Sequence, residues 1–465
     1  MKSQLIGFGR ARGAAAWSAL IEVFPMAESE RPNPSFFVIS VTDPSRIPQV
    51  ETGLGAHLQV EEGRCLKWIG GRDYAVARAA GKQLQLERGK DGALALLGAL
   101  DGVEEAKLRD AQSIMEAYAR RSPEPLFESE TPQSGQQWNL NMVRARQAWA
   151  MFPGGLTGGA WKSIRVGHID TGYTEHPVFG PWSGGRGPTV RPHEGLDFLD
   201  GSLPLDPLDY QGNPGHGTRT SSVLAGYVAR TFLGIAPQVA VVPYRVTKVV
   251  VVDSALGRTR LDRAIEHAAI DNSCKVISIS LGDPCFPPKS VGRSVDKAYE
   301  EGVIVVAAAG NVTSEVTYPG RYARTICAGG VTRRARPWTG GSRGRRVDLC
   351  APADGIYRAN AWLDNNRLKY GYGDDGSGTS YATVHIAGAA ALWLAFHGNN
   401  LNRYQQAWQI VEAFRLVVRQ TAQRPADWND QLFGAGILDI AALLNAPLPQ
   451  ENQLVKRRLA KDEVV

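Results

Sequence analysis

An aspartate, a histidine and a serine stand in this chain where they could together attack a carbonyl carbon. Asp170 lies in Val166-Gly167-His168-Ile169-Asp170-Thr171-Gly172, at the end of an apolar run. A carboxylate held there by backbone donors suits a group that orients an imidazole. His216 sits in Gly215-His216-Gly217-Thr218, at the start of a helical pattern. Its flanking glycines let a substrate backbone approach the ring, so His216 is the candidate general base. Ser380 lies in Gly376-Ser377-Gly378-Thr379-Ser380-Tyr381-Ala382, leading into an apolar helix that continues to Phe396. A hydroxyl at a helix N-terminus meets unpaired N–H groups and the positive end of the helix dipole, which favour developing negative charge. Ser380 is the candidate nucleophile.

The elements that must position these residues read as alternating strands and helices. Apolar runs at 164–169, 239–246, 275–279, 303–308 and 325–328 have the near-continuous hydrophobicity of strands buried on both faces. Helical patterns follow Arg219, Arg260 and Ser294, and a longer one covers about 403–421. The alternation predicts an α/β fold with a mostly parallel sheet between helices, whose active sites belong at strand ends. Residues 122–137, SPEPLFESETPQSGQQ, replace this periodicity with Pro, Ser, Glu and Gln and read as a linker. Before it, residues 1–121 suggest a small α+β domain, with strands at 36–41 and 74–77 and a helix at 91–100. After residue 446 the chain reads as a polar tail.

Composition sets outer bounds. With 465 residues, 43% hydrophobic and 21% charged, the chain is a folded protein of enzyme size, neither disordered nor fibrous. A net charge of +6 is too small for this length to imply nucleic acid. The arginines at 333, 334, 336, 343, 345 and 346 read as a solvated loop. Five cysteines without CxxC spacing indicate neither a zinc knuckle nor a disulfide framework. Arg10, Arg12 and Glu22 interrupt the N-terminal apolar stretch where a secretory signal needs a clean core, so a cytoplasmic location is expected. Uninterrupted apolar runs fall short of the roughly 20 residues that span a bilayer, and no membrane anchor is expected.

The order Asp170, His216, Ser380, with its surrounding motifs, resembles the subtilisin-like serine peptidases, or subtilases. The resemblance runs from 138 to about 444, through VGHIDTG, GHGTRTSSVLAG, ISISLG, VIVVAAAGN, YPGRY, VDLCAPA, GTSYATVHIAG and FGAGILDIAALL. It implies a subtilisin-like three-layer domain over 138–446 and a serine endopeptidase whose partner is a protein or peptide substrate. Asn311 and the Ser380 N–H would bind the oxyanion. Ser280, Leu281 and Gly282, with Ala309 and Gly310, would flank a substrate that pairs as an added strand. Asp283, next in the chain, could favour a basic side chain, with a broad apolar preference the alternative. The chemistry needs no cofactor. Two departures stand out. Val384 occupies the position, four residues after the nucleophile, where the family usually has Pro. The acidic calcium ligand is missing after His176-Pro177, and the calcium loop is shortened to Tyr227-Val228-Ala229-Arg230-Thr231, so the family's strong calcium site is not expected.

Competing readings of the same residues are weaker. Asp170-Thr171-Gly172 would suit an aspartic peptidase, but that chemistry needs a second such carboxylate and no second D-T/S-G occurs. The other histidines, His168, His176, His193, His267, His385 and His397, lack metal-ligand spacing and are assigned structural roles. The N-terminal region resembles the end of a subtilase propeptide through GKQLQLERGKDGALALLGALDGVEEAKLR, which would make it an intramolecular inhibitor cut within 120–137. An accessory domain is the alternative. A latent or inactive protein that binds a peptide or partner in its cleft is the main rival to an active enzyme.

Overall fold

The structure is a computed structural model that describes residues 129–463 apart from 183–188, 230, 253–254, 284–287 and 312–314, together with six strands before residue 111. The chain divides into two compact units near Pro123. In the N-terminal unit, Gln4–Gly9, Trp17–Val23, Ser35–Val41 and Glu105–Asp110 pair antiparallel in that order. Two short strands, Trp68–Ile69 and Ala77–Arg78, flank the first of these. The strand expected at 36–41 falls on Ser35–Val41. Of the strand expected at 74–77, residues 74–76 lie outside the described residues, as does the helix expected at 91–100.

The C-terminal unit is built on seven parallel strands: β1 Arg165–Asp170, β2 Leu196–Asp197, β3 Ala240–Arg245, β4 Val276–Ile279, β5 Ile304–Ala308, β6 Ile326–Val331 and β7 Leu349–Pro352. Their spatial order is β7-β6-β5-β4-β1-β3-β2. Strand β1 therefore lies between β3 and β4, with Ile169 level with Tyr244 on one side and Ile279 on the other. Here the strand order reverses, the place where open parallel sheets hold their ligands.

Side-chain alternation along these strands builds two cores. Val166, Val241, Val276, Ile304 and Val306 face one side, packed with α1 (His216–Ala225), α4 (Thr379–His397) and α5 (Trp408–Gln420). Val242, Tyr244, Ile277, Ile279, Val305 and Ala307 face the other, under α2 (Ala255–Glu266) and α3 (Lys289–Glu300). The result is the α/β three-layer arrangement expected from the alternating pattern. Helix α4 is apolar on all faces, as a helix enclosed by protein must be. By length and composition it could cross a membrane, yet 89% of its most apolar window is buried within the fold.

Three regions differ from the sequence reading. A long hairpin, β8 Ile356–Asp364 and β9 Arg367–Gly376, leads directly into the Ser380 segment. The linker is partly held against this hairpin, since Ser129 pairs with Tyr372 and Gln133 N–H donates to the Tyr357 hydroxyl at 2.8 Å. The segment expected as a polar tail is instead docked on α3. Leu454 and Ala460 are buried, the Ala460 N–H donates to Asp296 at 2.8 Å, and Glu463 accepts from Ala323 N–H, Arg346 and Arg458. Most of its side chains still face solvent, while Leu454, Ala460 and Glu463 hold it in place.

Candidate active site

Each of the three candidate side chains is supplied by an element end. Asp170 is the last residue of β1, where the strand stops pairing and its carboxylate Oδ1 accepts the following Thr171 N–H at 2.7 Å. His216 is the first residue of α1. Gly215 before it takes a left-handed backbone at φ 72°, which turns the chain into the helix. Gly217 must also be a glycine, because a Cβ there would lie 2.0 Å from the Gly172 carbonyl oxygen. Ser380 is the second residue of α4 and follows Gly378, whose φ of 153° turns the hairpin into the helix.

These ends meet. His216 Nδ1–H donates to Asp170 Oδ1 at 2.7 Å, and His216 Nε2 lies 3.2 Å from Ser380 Oγ. Asp170 is completely buried, Ser380 is 5% exposed, and the imidazole is slightly more open than either. Burial pushes the Asp170 carboxyl upward in pKa, but the charge and hydrogen bond of His216, with the Thr171 N–H, outweigh it and hold the group below its ordinary value. Asp170 is thus an anion that can hold an imidazole and stabilise an imidazolium.

Asn311 follows β5 and is held from its carbonyl side. Its Oδ1 accepts from Thr379 N–H at 2.9 Å and from Thr379 Oγ1–H at 2.8 Å, while Thr379 Oγ1 accepts from Gly310 N–H at 3.1 Å. This turns the Asn311 Nδ2 edge toward Gly378, where a Cβ would lie 3.2 Å from it. The Ser380 N–H belongs to the first turn of α4 and has no intrahelical acceptor. Ser280 follows β4; its carbonyl lies 3.4 Å from Ser380 Oγ, and its hydroxyl donates to the Ser380 carbonyl at 3.1 Å.

A sequence profile of the Subtilase family matches residues 162–436. The chain belongs to the subtilase family. Subtilisin BL from Lederbergia lenta is 29% identical over 310 residues, covering 66% of this chain and 97% of that protein. Subtilisin DY from Bacillus licheniformis is 31% identical over 247 residues, covering 50% and 77%. The major intracellular serine protease of Bacillus subtilis (strain 168) is 28% identical over 312 residues, covering 65% and 87%. Among solved structures, MycP1 from the ESX-1 type VII secretion system superposes with a TM-score of 0.54 at 21% identity, covering 70% of this chain and 90% of that one, a likeness of fold. This subtilase is a subtilisin-like serine peptidase acting on peptide or protein substrates.

Around the site of this subtilase, several expectations meet particular geometry. Leu281 is buried, and Gly282 is already paired: its N–H donates to the Val250 carbonyl and its carbonyl accepts from Val252 N–H, both at 3.0 Å. Ala309 is likewise taken, its N–H by the Ala328 carbonyl and its carbonyl by Thr317 N–H. Asp283 is 1% exposed and its carboxylate binds Arg258 Nε at 2.6 Å, so it is not presented as a charged pocket wall. Thr317, which sequence reasoning passed over, stands between Gly282 and Gly310. A Cβ on Gly282 would lie 2.4 Å from its Oγ1, and one on Gly310 would lie 2.7 Å from its Cγ2. Its position one residue before the recognised Tyr318-Pro319-Gly320 stretch was the available signal. Val384 lies inside α4, fully buried, and the helix runs through it unbroken. Among the described residues no group of three His, Cys, Asp or Glu side chains is placed to hold a metal ion.

Proposed function

We propose that this subtilase is a serine endopeptidase in which Ser380, His216 and Asp170 form the catalytic triad. The reading rests on one observation above all, the single imidazole that bridges a buried carboxylate and a serine hydroxyl. His216 carries its resting proton on Nδ1, donated to Asp170, which leaves the Nε2 lone pair for the Ser380 proton. Ser380 Oγ attacks the scissile carbonyl as that proton passes to Nε2. The carbonyl oxygen becomes an oxyanion that accepts from Asn311 Nδ2–H and Ser380 N–H. Collapse breaks the C–N bond, and the Nε2 proton leaves with the amine. Water then hydrolyses the acyl-enzyme by the same steps, with His216 again as base. No cofactor enters either half.

The substrate backbone would run along Ser280–Gly282 and past Ala309–Gly310, with Thr317 limiting the depth between them. Pairing at Gly282 exchanges its present bonds to Val250 and Val252 for bonds to substrate. That exchange favours a second reading, a latent form of the same enzyme whose cleft opens only on processing or on binding a partner. The N-terminal unit is the candidate inhibitor, released by cleavage within 120–137.

Intact-mass analysis after treatment with a fluorophosphonate, which reacts with an activated serine, tests these readings together. One adduct on wild type and none on Ser380→Ala is expected. Ser380→Ala should lower kcat on the order of 10⁶ and Asn311→Ala about 10²–10³, scales established for subtilisin and borrowed here. An adduct found only on a chain shortened by about 120–137 residues identifies the latent form. No adduct on either form overturns the triad.

A further inference from the structure

His168 stands two residues before Asp170 on β1, and Thr220 four residues after His216 on α1. The period of two in a strand and the four-residue turn of a helix bring both side chains to the carboxylate of Asp170. Asp170 Oδ1 is occupied by Thr171 N–H and His216 Nδ1–H. The Thr220 hydroxyl reaches Oδ2, at 3.3 Å. This hydroxyl has one proton to give, and three other neighbours: the His216 carbonyl at 3.0 Å, the Gly217 carbonyl at 3.3 Å and His168 Nε2 at 3.0 Å.

The His168 ring decides where the hydroxyl proton points. Its side chain is buried, and Nδ1 makes no hydrogen bond. A proton on Nδ1 would be a buried donor without an acceptor, which costs more than a buried lone pair. The neutral ring therefore carries its proton on Nε2 and donates it to Thr220 Oγ1. Thr220 in turn donates to Asp170 Oδ2, the one charged acceptor among its neighbours. Burial lowers the His168 pKa; the His216 charge adds to this, and the pulls of Asp170 and the Gly217 carbonyl do not overcome it, so the ring acts as a neutral dipole.

We propose that His168 and Thr220 are positioning residues for catalysis, a two-member relay that fixes Oδ2 of Asp170 while Oδ1 holds His216. The relay rests on the triad reading and extends it. Other charged groups around the cluster are engaged elsewhere. Asp206, beside Thr171, accepts from Thr171 Oγ1–H, Tyr210 and Gly215 N–H. Arg245, level with Asp170 on β3, binds Asp197, and Arg219 on α1 binds Asn360. Without the relay the hydroxyl turns to the nearer His216 carbonyl, and the charge on Oδ2 loses its donor. An Asp170 so exposed turns more of its charge on the proton-transfer step at Ser380, and the acidic limb of that reaction moves upward.

The test is the rate of fluorophosphonate reaction against pH for the full chain and for His168→Val, Thr220→Val, the double variant and His168→Gln, with melting curves for each. Each valine variant should react about 3- to 10-fold more slowly, with the acidic limb moved up by about half a pH unit. The double variant should do no more than either single change, since both break the same relay. His168→Gln, whose amide N–H replaces Nε2–H, should return to within about twofold of wild type. If His168→Val does not fold, the near-isosteric Thr220→Val decides. A wild-type acidic limb in a folded Thr220→Val protein, or additive effects in the double variant, overturns the relay alone. Absence of any Ser380 adduct on wild type, full-length or shortened, overturns the triad and the relay with it.

Discussion

Thr317 shows how much a single side chain can decide in a cleft walled by glycine. Its methyl and hydroxyl fill the space that side chains at Gly282 or Gly310 would otherwise contest, so on the proposed substrate path a side chain entering there would meet a shallow floor. Thr317→Gly should therefore raise kcat/KM for peptides with Leu or Phe before the cut, relative to Ala, by about 10-fold or more, since each extra methylene accommodated is worth roughly 10- to 200-fold. Peptide libraries read by mass spectrometry would show it, and an unchanged ranking would remove Thr317 from specificity. At this scale the sequence was informative wherever chemistry restricts residue type. Asp170, His216 and Ser380 stand out because flanking glycines and strand or helix ends accompany them. Asp283 was open to misreading because its partner Arg258 is 25 residues away in sequence. His168 was readable in principle, two places before Asp170, but its connection to Oδ2 passes through Thr220, 52 residues further on.

Among the elements, the C-terminal segment departs furthest from its sequence pattern. Lys456, Arg457, Arg458, Lys461 and Asp462 read as solvated, yet the segment docks through its backbone and through the side chains of Lys456, Arg457 and Glu463. Arg324, 3% exposed, donates to the Arg457 carbonyl while pairing with Asp296 and Glu300, and Arg457 N–H donates to the Tyr299 hydroxyl. The segment approaches α3 at Gly292, where a Cβ would lie 2.8 Å from the Lys461 backbone. Removing residues 454–465 should cost about 2–3 kcal/mol through lost burial and unpaired groups on α3, lowering Tm by roughly 5 °C. Calorimetry on Ser380→Ala protein, which cannot digest itself, checks this, and an unchanged Tm would mean the segment only rests on the surface. Gly292→Ala should reproduce part of the loss. Five strands of the central sheet, β1 and β3 to β6, were legible because burial on both faces leaves a continuous apolar run, whereas β2 and β7, of two and four residues, were not. The hairpin β8–β9 was not, since its outer half is exposed and its composition mixed.

For the molecule as a whole, two buried histidines set a lower limit on the pH of stability. His176 accepts from Val178 N–H at Nδ1 and donates from Nε2 to the Asn360 carbonyl. His385 donates from Nδ1 to the Tyr381 carbonyl and accepts from Asn139 Nδ2–H at Nε2. Each ring has one acceptor nitrogen already facing a donor, so a second proton has nowhere to bond. Burial lowers both pKa values to about 4. Because the unfolded histidines bind protons first, near 6.5, stability is full above that pH and falls as pH drops from 6.5 to about 4, by on the order of 3 kcal/mol per ring. Melting Ser380→Ala protein at pH 7, 5.5 and 4.5 should show this fall, and His385→Gln should remove about half of it. An equal slope in the variant would remove His385 as a source of the acid sensitivity.

By itself the sequence determined the α/β class and the family, and it singled out the candidate reacting groups. These depend on local rules: apolar runs for buried strands, glycines for tight turns, and a hydroxyl at a helix start. Only the tertiary structure decided which groups share a proton and which are already satisfied. Parallel strands joined by long crossovers bring His216 to 2.7 Å from Asp170 and 3.2 Å from Ser380, pairs distant in sequence, and hydrogen bonds of that length are set by the packing of whole elements. The same packing places Thr220 between His168 and Asp170, pairs Gly282 with Val250 and Val252, and seats a charged C-terminus on α3. Periodicity assigns a residue to a face, but the neighbour across that face comes from elsewhere in the chain.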